Sequence, residues 1–170
     1  MRIIGIDPGL SELGWGIVEI NEQQEHLVAL EYGTVKTNKS DDISIRLLII
    51  FDKIEEIIKK YNPQVMAIEE VFFAQNVKTA VVVSQAKGVA ILAAGRSNVK
   101  VFQYTPLHVK MALSGYGRAE KDQIQSMVMR LLHLDTIPKP SHSADALAVA
   151  ITHIHRLSSP QIISEENNKS

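Results

Sequence analysis

The sequence predicts an α/β fold, a five-stranded mixed sheet flanked by helices. Three observations carry that expectation. Short apolar runs in the first 40 residues have strand character and follow one another with short links, the mark of an antiparallel meander. After Asp41-Asp42 the apolar period becomes helical. From there short strands alternate with helices, which adds strands that pair in parallel, with helices on both faces.

Arg2–Asp7 reads as a buried strand ended by the turn former Pro8-Gly9. Gly14–Ile20 alternates and forms a second strand, and His26–Thr37, rich in Val, Leu and Tyr, a third. Asp41-Asp42 is placed to cap a helix over Ile43–Tyr61, whose apolar face is Ile43, Leu47, Ile50, Ile54, Ile57 and Ile58; Asn62-Pro63 stops it. Gln64–Glu69 is a central strand, Asn76–Ala94 a long helix and Val99–Tyr104 the last strand. Helices follow at Pro106–Leu113, Glu120–His133 and Ser143–Leu157. Residues 1–157 form one domain, and 158–170 are a polar, disordered tail.

Composition bounds the function. The chain has 170 residues, 45% apolar and 22% charged, enough to bury a core. It has no cysteine, which excludes a disulfide scaffold, a thiolate nucleophile and a sulfur-bound zinc site. Its longest strictly apolar stretches are of the length of Ala146–Ile151, far short of the ~18 residues a membrane span needs. The opening Met1-Arg2-Ile3-Ile4-Gly5 has no secretory signal architecture, so the expected location is cytoplasmic, with no membrane partner. The net charge of −1 hides an asymmetry: residues 1–75 carry 7 Lys and Arg against 13 Asp and Glu, and residues 76–130 carry 8 against 2. A basic middle segment suits a phosphate-binding face, or is a set of scattered surface cations.

The chemistry lies in the carboxylates. Asp7 ends the first strand, where Asp-Pro-Gly is also a turn former in its own right. Glu69 closes the apolar run Val65-Met66-Ala67-Ile68, and a charge at the end of a central strand needs solvent, a partner or a metal. Glu70 follows it, and on a strand the two point to opposite faces, so only one shares a site with Asp7. His142 and Asp145 stand three apart at the start of an otherwise apolar helix, on one side of it. Two strand ends and a helix start converge at one sheet edge, where three carboxylates and an imidazole form a shell for two divalent cations. Two such ions activate water and stabilise the leaving oxygen of a phosphodiester.

Six ordered blocks make this pattern specific: Gly5-Ile6-Asp7-Pro8-Gly9, Ala67-Ile68-Glu69-Glu70-Val71-Phe72, Gln85-Ala86-Lys87-Gly88-Val89-Ala90, Val109-Lys110, Ala119-Glu120-Lys121 and Ala144-Asp145-Ala146-Leu147-Ala148. Together they resemble the RuvC family of Holliday junction resolvases over roughly residues 1 to 156. The resemblance implies an RNase H-like fold, a homodimer, and paired symmetric nicking of four-way junction DNA in recombination and repair. It implies Mg²⁺, two ions per site with Mn²⁺ as a substitute, and action beside a RuvAB-type branch-migration complex. The family's catalytic, metal-binding positions fall on Asp7, Glu69, His142 and Asp145. Many members carry Asp where this chain has His142, which removes one negative charge and shifts the expected preference toward Mn²⁺. An imidazole must be neutral to bind metal, so activity is expected to fall as pH approaches ~6.5.

For DNA, the resemblance favours Phe72 over Phe73 as the side chain that stacks at the junction point, and it places Lys110 and Lys121 near the scissile phosphate. Arg118 lies in a glycine-containing loop, Ser114-Gly115-Tyr116-Gly117-Arg118, that lets backbone approach DNA. Gly9, Gly14 and Gly16 keep side chains off the phosphate path, or the latter two ease strand packing. The helix over 76–94 is apolar on more than one face, which leaves a face for a second subunit, with Ala86 and Gly88 allowing close approach. His153 and His155, two apart on a helix, do not face each other and are no metal pair. Two other functions fit parts of the pattern: one lobe of an ATPase, and a junction-binding scaffold without catalysis.

Overall fold

A computed structural model describes residues 1–21, 26–71 and 77–158. The elements are β1 (Arg2–Asp7), β2 (Glu12–Asn21), β3 (His26–Lys36), α1 (Ile43–Tyr61), β4 (Val65–Glu69), α2 (Val77–Arg96), β5 (Lys100–Tyr104), α3 (Pro106–Ser114), α4 (Lys121–Leu131) and α5 (Ser141–Ser158). The sheet order is β3-β2-β1-β4-β5. β1 pairs antiparallel with β2, and β2 with β3; β4 pairs parallel with β1 and with β5. This is the mixed sheet of an RNase H-like fold.

The ends of the elements follow local chemistry. Asn62 takes the left-handed conformation (φ 47°) and its N–H closes α1 on the Ile58 carbonyl, after which Pro63 cannot extend the helix. Asp42 occupies the N-cap of α1, but its side chain makes no capping hydrogen bond. Thr105 caps α3 by accepting from the His108 N–H at 3.1 Å, with Pro106 in the first turn. Glu120 proves to be the N-cap of α4 rather than its first residue, and its N–H donates to Gln123 Oε1 at 3.0 Å.

Strand alternation sorts the core into two layers. Ile4, Ile6, Leu13, Trp15, Ile17, Met66 and Ile68 pack against Ile50, Ile54 and Ile57 of α1 and the alanines of α2. Ile3, Val18, Val65, Ala67 and Tyr104 pack against α3, α4 and α5. Along α5, Ala146 to Ile151 are all at most 1% exposed.

Glycines set how closely α5 lies on the sheet. A Cβ on Gly5 would stand 2.0 Å from the Ala146 carbonyl oxygen, and one on Gly14 would stand 2.0 Å from that of His142. Both lie far inside van der Waals contact, so only glycine admits this helix at this depth. A Cβ on Gly16 would meet the Leu147 side chain at 2.6 Å. Gly14 and Gly16 therefore serve packing, and the packing partner is the first half of α5.

Candidate active site

β1 and β4 run parallel in adjacent positions, with Ile6 level with Ile68, so their C-terminal ends lie side by side. Asp7 faces the same side as Ile3 and Gly5; Glu69 faces the same side as Val65 and Ala67. That side is the α5 side. Glu69 is thus the glutamate that joins Asp7, and Glu70 points to the other face beside Lys87, whose ammonium is disfavoured by burial. α5 begins at Ser141, two residues earlier than its periodicity predicts, which puts both His142 and Asp145 in its opening turns. Gly14 pairs with Asp7 in register and admits the His142 backbone directly over it.

One ligand atom each from Asp7, His142 and Asp145 lie within 4.8 Å of one another. His142 Nδ1 stands 2.6 Å from Asp7 Oδ2, and Lys121 Nζ stands 2.6 Å from Asp145 Oδ2. Asp7 is 9% exposed, among the few buried polar side chains described. Burial, reinforced by the charges of Asp7 and Asp145 and by a hydrogen bond with Asp7, pushes the Glu69 carboxyl up to about 7. Burial also raises the Asp145 carboxyl, with Lys121 opposing it. The hydrogen bond to Asp7 is the main cause that lifts the His142 imidazole above its ordinary range. Burial works against the Lys121 ammonium, but the Asp145 hydrogen bond outweighs it and raises its pKa.

These shifts describe crowded negative charge without enough positive charge to balance it. The donor set, three carboxylates and an imidazole, is of the hard oxygen and borderline nitrogen type that takes Mg²⁺ or Mn²⁺. The residues present therefore fit divalent cations.

Beside this cluster a cleft of about 290 Å³ is lined by Glu69, Lys110, Lys121 and Asp145 on its polar side, with Val109, Ile124 and Ala148 among its apolar walls. Lys110 comes from α3 and Lys121 is the first residue of α4, so both predicted lysines reach the same cleft as the carboxylates. Arg118 lies exposed in the link between α3 and α4 and is not part of the cleft wall. Phe72 and Phe73 lie outside the described residues, as does the tail from residue 159.

The sequence gives no warning of two further features near this edge. Tyr104, level with Glu69 across β4 and β5, is held by His153 Nδ1 at 2.6 Å from its hydroxyl, deep under α5. Glu12 opens β2 on the α5 side, and one of its carboxylate oxygens is buried without a hydrogen-bond partner. Period-two alternation places Glu12 on the face of Gly14, and the Lys36 ammonium, its register partner on β3, stands 3.9 Å from it.

The chain matches the family described as crossover junction endodeoxyribonuclease RuvC over residues 3–153. A relative of that name from Fusobacterium nucleatum is 47% identical over 168 residues, 99% of this chain and 87% of the relative. One from Caldanaerobacter subterraneus is 50% identical over 155 residues, 91% of this chain and 93% of the relative. Among solved structures, Thermus thermophilus RuvC superimposes with a TM-score of 0.87 at 36% identity, covering 93% of this chain and 96% of that one. The same protein in complex with a Holliday junction substrate gives 0.85 at 34%, with the same coverage of both chains.

Proposed function

The chain belongs to the RuvC family of crossover junction endodeoxyribonucleases, and we propose that it resolves four-way DNA junctions by paired symmetric nicks. The observation that carries this reading is the meeting of Asp7, Glu69, His142 and Asp145 at the edge of a cleft that also holds two lysines. These four side chains would hold two Mg²⁺ ions, or Mn²⁺ in their place. Such ions supply charge neutralisation at the phosphodiester and an activated water.

The protein's own part is to position and to exchange charge. Lys121 neutralises Asp145 in this structure, and with a cation held at Asp145 its ammonium would be free to bind a phosphate oxygen. Lys110 lines the same wall and binds backbone phosphate as a point charge. His142 must give up any proton to ligate, and its bond to Asp7 makes that harder as pH falls. Arg118, exposed beyond the cleft, and Phe72 extend the DNA contact away from the scissile bond.

The substrate has two strands to cut, which calls for two sites related by a twofold axis. α2 supports a homodimer: Val81 and Leu92 are 48% and 62% exposed, and Gly88 on the same surface has open space above it. Action with a RuvAB-type motor in the cytoplasm follows from the same reading. Among the described residues no helix is long and apolar enough to cross a membrane.

The test is a labelled four-way junction beside a matched linear duplex, with Mg²⁺ or Mn²⁺, using wild type and Asp7→Asn. Paired nicks in the junction alone, lost in Asp7→Asn, are expected. Tight junction binding without cutting in either metal would replace this reading with a scaffold.

A further inference from the structure

Between α3 and α4, next to the cleft, lies a second and larger concavity. It holds about 550 Å³, a size that takes a small ligand, and is floored by Leu113 and Met127, with Tyr116 at its wall. The backbone of Tyr116 is held on both sides. Gly115 closes α3 in the left-handed conformation (φ 69°), the Tyr116 N–H donates to Ser114 Oγ at 3.2 Å, and the Tyr116 carbonyl accepts from the Ala119 N–H at 3.2 Å. Gly117 is seated so closely on α3 that a Cβ there would stand 2.6 Å from Leu107 Cδ1. The Tyr116 ring is nonetheless 58% exposed and makes no aromatic contact among the described residues. An aromatic fixed at its backbone and open at its ring adds little to the core and is ready to receive a planar group.

The surroundings select that group. From Lys110 to Arg130 the chain carries four Lys and Arg against two Asp and Glu. Lys110 and Lys121 line the cleft, Arg130 lines the groove, and Arg118 is exposed in the loop that carries Tyr116. The groove also continues the cleft. Lys110 and Ser114 are one helical turn apart on α3, where Ser114 Oγ donates to the Lys110 carbonyl at 2.7 Å, and Lys121 and Asp122 are consecutive on α4. Asp122 and Gln123 on the groove wall offer an acceptor and an amide to the edge of a base. We propose that this groove takes one unstacked base of the junction, which stacks on Tyr116 while Arg118 and Arg130 bind neighbouring phosphates. The inference rests on the junction-resolving reading above and adds to it a base site that the metal cluster does not touch.

The experiment measures the affinity of the full-length chain for a labelled four-way junction without divalent metal, so that no strand is cut, over a series of salt concentrations. Tyr116→Ala is expected to weaken binding by about 5- to 150-fold, the loss of one stacked base. The slope of log affinity against log salt stays unchanged, because no phosphate contact is lost. Tyr116→Phe keeps the stacking face and binds as wild type. Arg118→Ala instead lowers the slope by about one phosphate contact. Single abasic sites placed in turn around the crossover locate the base: at one position its removal costs wild type a comparable factor and costs Tyr116→Ala nothing further. Ser126→Phe, which puts a ring into the groove, gives the same loss with Tyr116 in place. Equal affinity in wild type, Tyr116→Ala and Ser126→Phe would overturn the base site in favour of a protein segment as occupant. So would abasic costs that match in wild type and Tyr116→Ala at every position. Failure of the junction reading looks different: wild type would then bind the junction no more tightly than a matched linear duplex, and the inference would fall with it.

Discussion

The two faces of the sheet are built from the same strands and solve opposite problems. The face toward α1 and α2 is filled by Ile4, Ile6, Leu13, Trp15 and Ile17, and its job is volume. The face toward α5 near the same edge presents Gly5, Asp7, Gly14 and Gly16, and its job is close approach of a backbone. Bulk holds helices away from a sheet; absence of side chains lets one helix sink far enough to deliver His142 and Asp145 to Asp7. A site made of short side chains from distant parts of a chain needs that second kind of face.

The comparison breaks most visibly at Gly14. Gly14→Ala sets a methyl against the His142 carbonyl, a backbone atom with no rotamer to escape into. We expect at least ~3 kcal/mol of destabilisation in urea unfolding, at the upper end of overpacking costs, together with loss of Mn²⁺ affinity. A stable variant with wild-type metal binding would refute the packing argument. Ile54→Ala on the opposite face is expected to cost about 2–5 kcal/mol as a cavity while leaving Mn²⁺ affinity intact. Equal damage to stability with unequal damage to the site is the signature that separates the two faces.

A pH series sharpens the contrast between the two ends of α5. At the site end, the folded Glu69 carboxyl titrates at about 7 against 4.5 ordinarily, so the folded state holds the proton more tightly. Metal-free stability therefore falls as pH rises from about 4.5 to about 7, and Glu69→Gln removes that component. At the buried end, burial lowers the His153 imidazole to about 4 from 6.5. Here the unfolded chain binds the proton first, so stability is present above 6.5 and is lost as pH falls toward 4; His153→Phe removes that slope. Denaturation midpoints across pH 4–7.5 for the two variants should change in opposite directions relative to wild type.

The smallest effect on stability is expected at Lys121. Its ion pair with Asp145 is half exposed, so Lys121→Met should cost under ~1 kcal/mol. Its rate of junction cleavage should nevertheless drop, because the variant lacks the ammonium that lines the cleft. Retention of full cleavage would remove Lys121 from the reaction.

Much of this was legible before folding. The order of elements along the chain and the mixed sheet follow from period, and the four metal-binding candidates from strand ends, a helix start and the ordered family motifs. Glu69 over Glu70 came from the resemblance, because alternation says only that they differ; the parallel register with β1 supplies the physical reason. Gly14 and Gly16 were ambiguous for a similar reason, since the partner they admit lies some 130 residues downstream in the chain. His153 shows the limit in another way. Spacing removes it from the metal site, but no local signal reveals Tyr104 as its partner, since that contact forms only when α5 crosses β5.

The depth at which α5 docks also bears on synthesis. Asp7 and Glu69 leave the ribosome early, but His142 and Asp145 are made near the end, on a helix whose buried residues run on to Ile154. A nascent or truncated chain ending before residue 141 owns half of the proposed ligand set and lacks the helix that would cover β1. On the proposed ligand set, cutting power would arrive in one step with completion of the core, and unfinished copies of a DNA-breaking protein would be inert by construction.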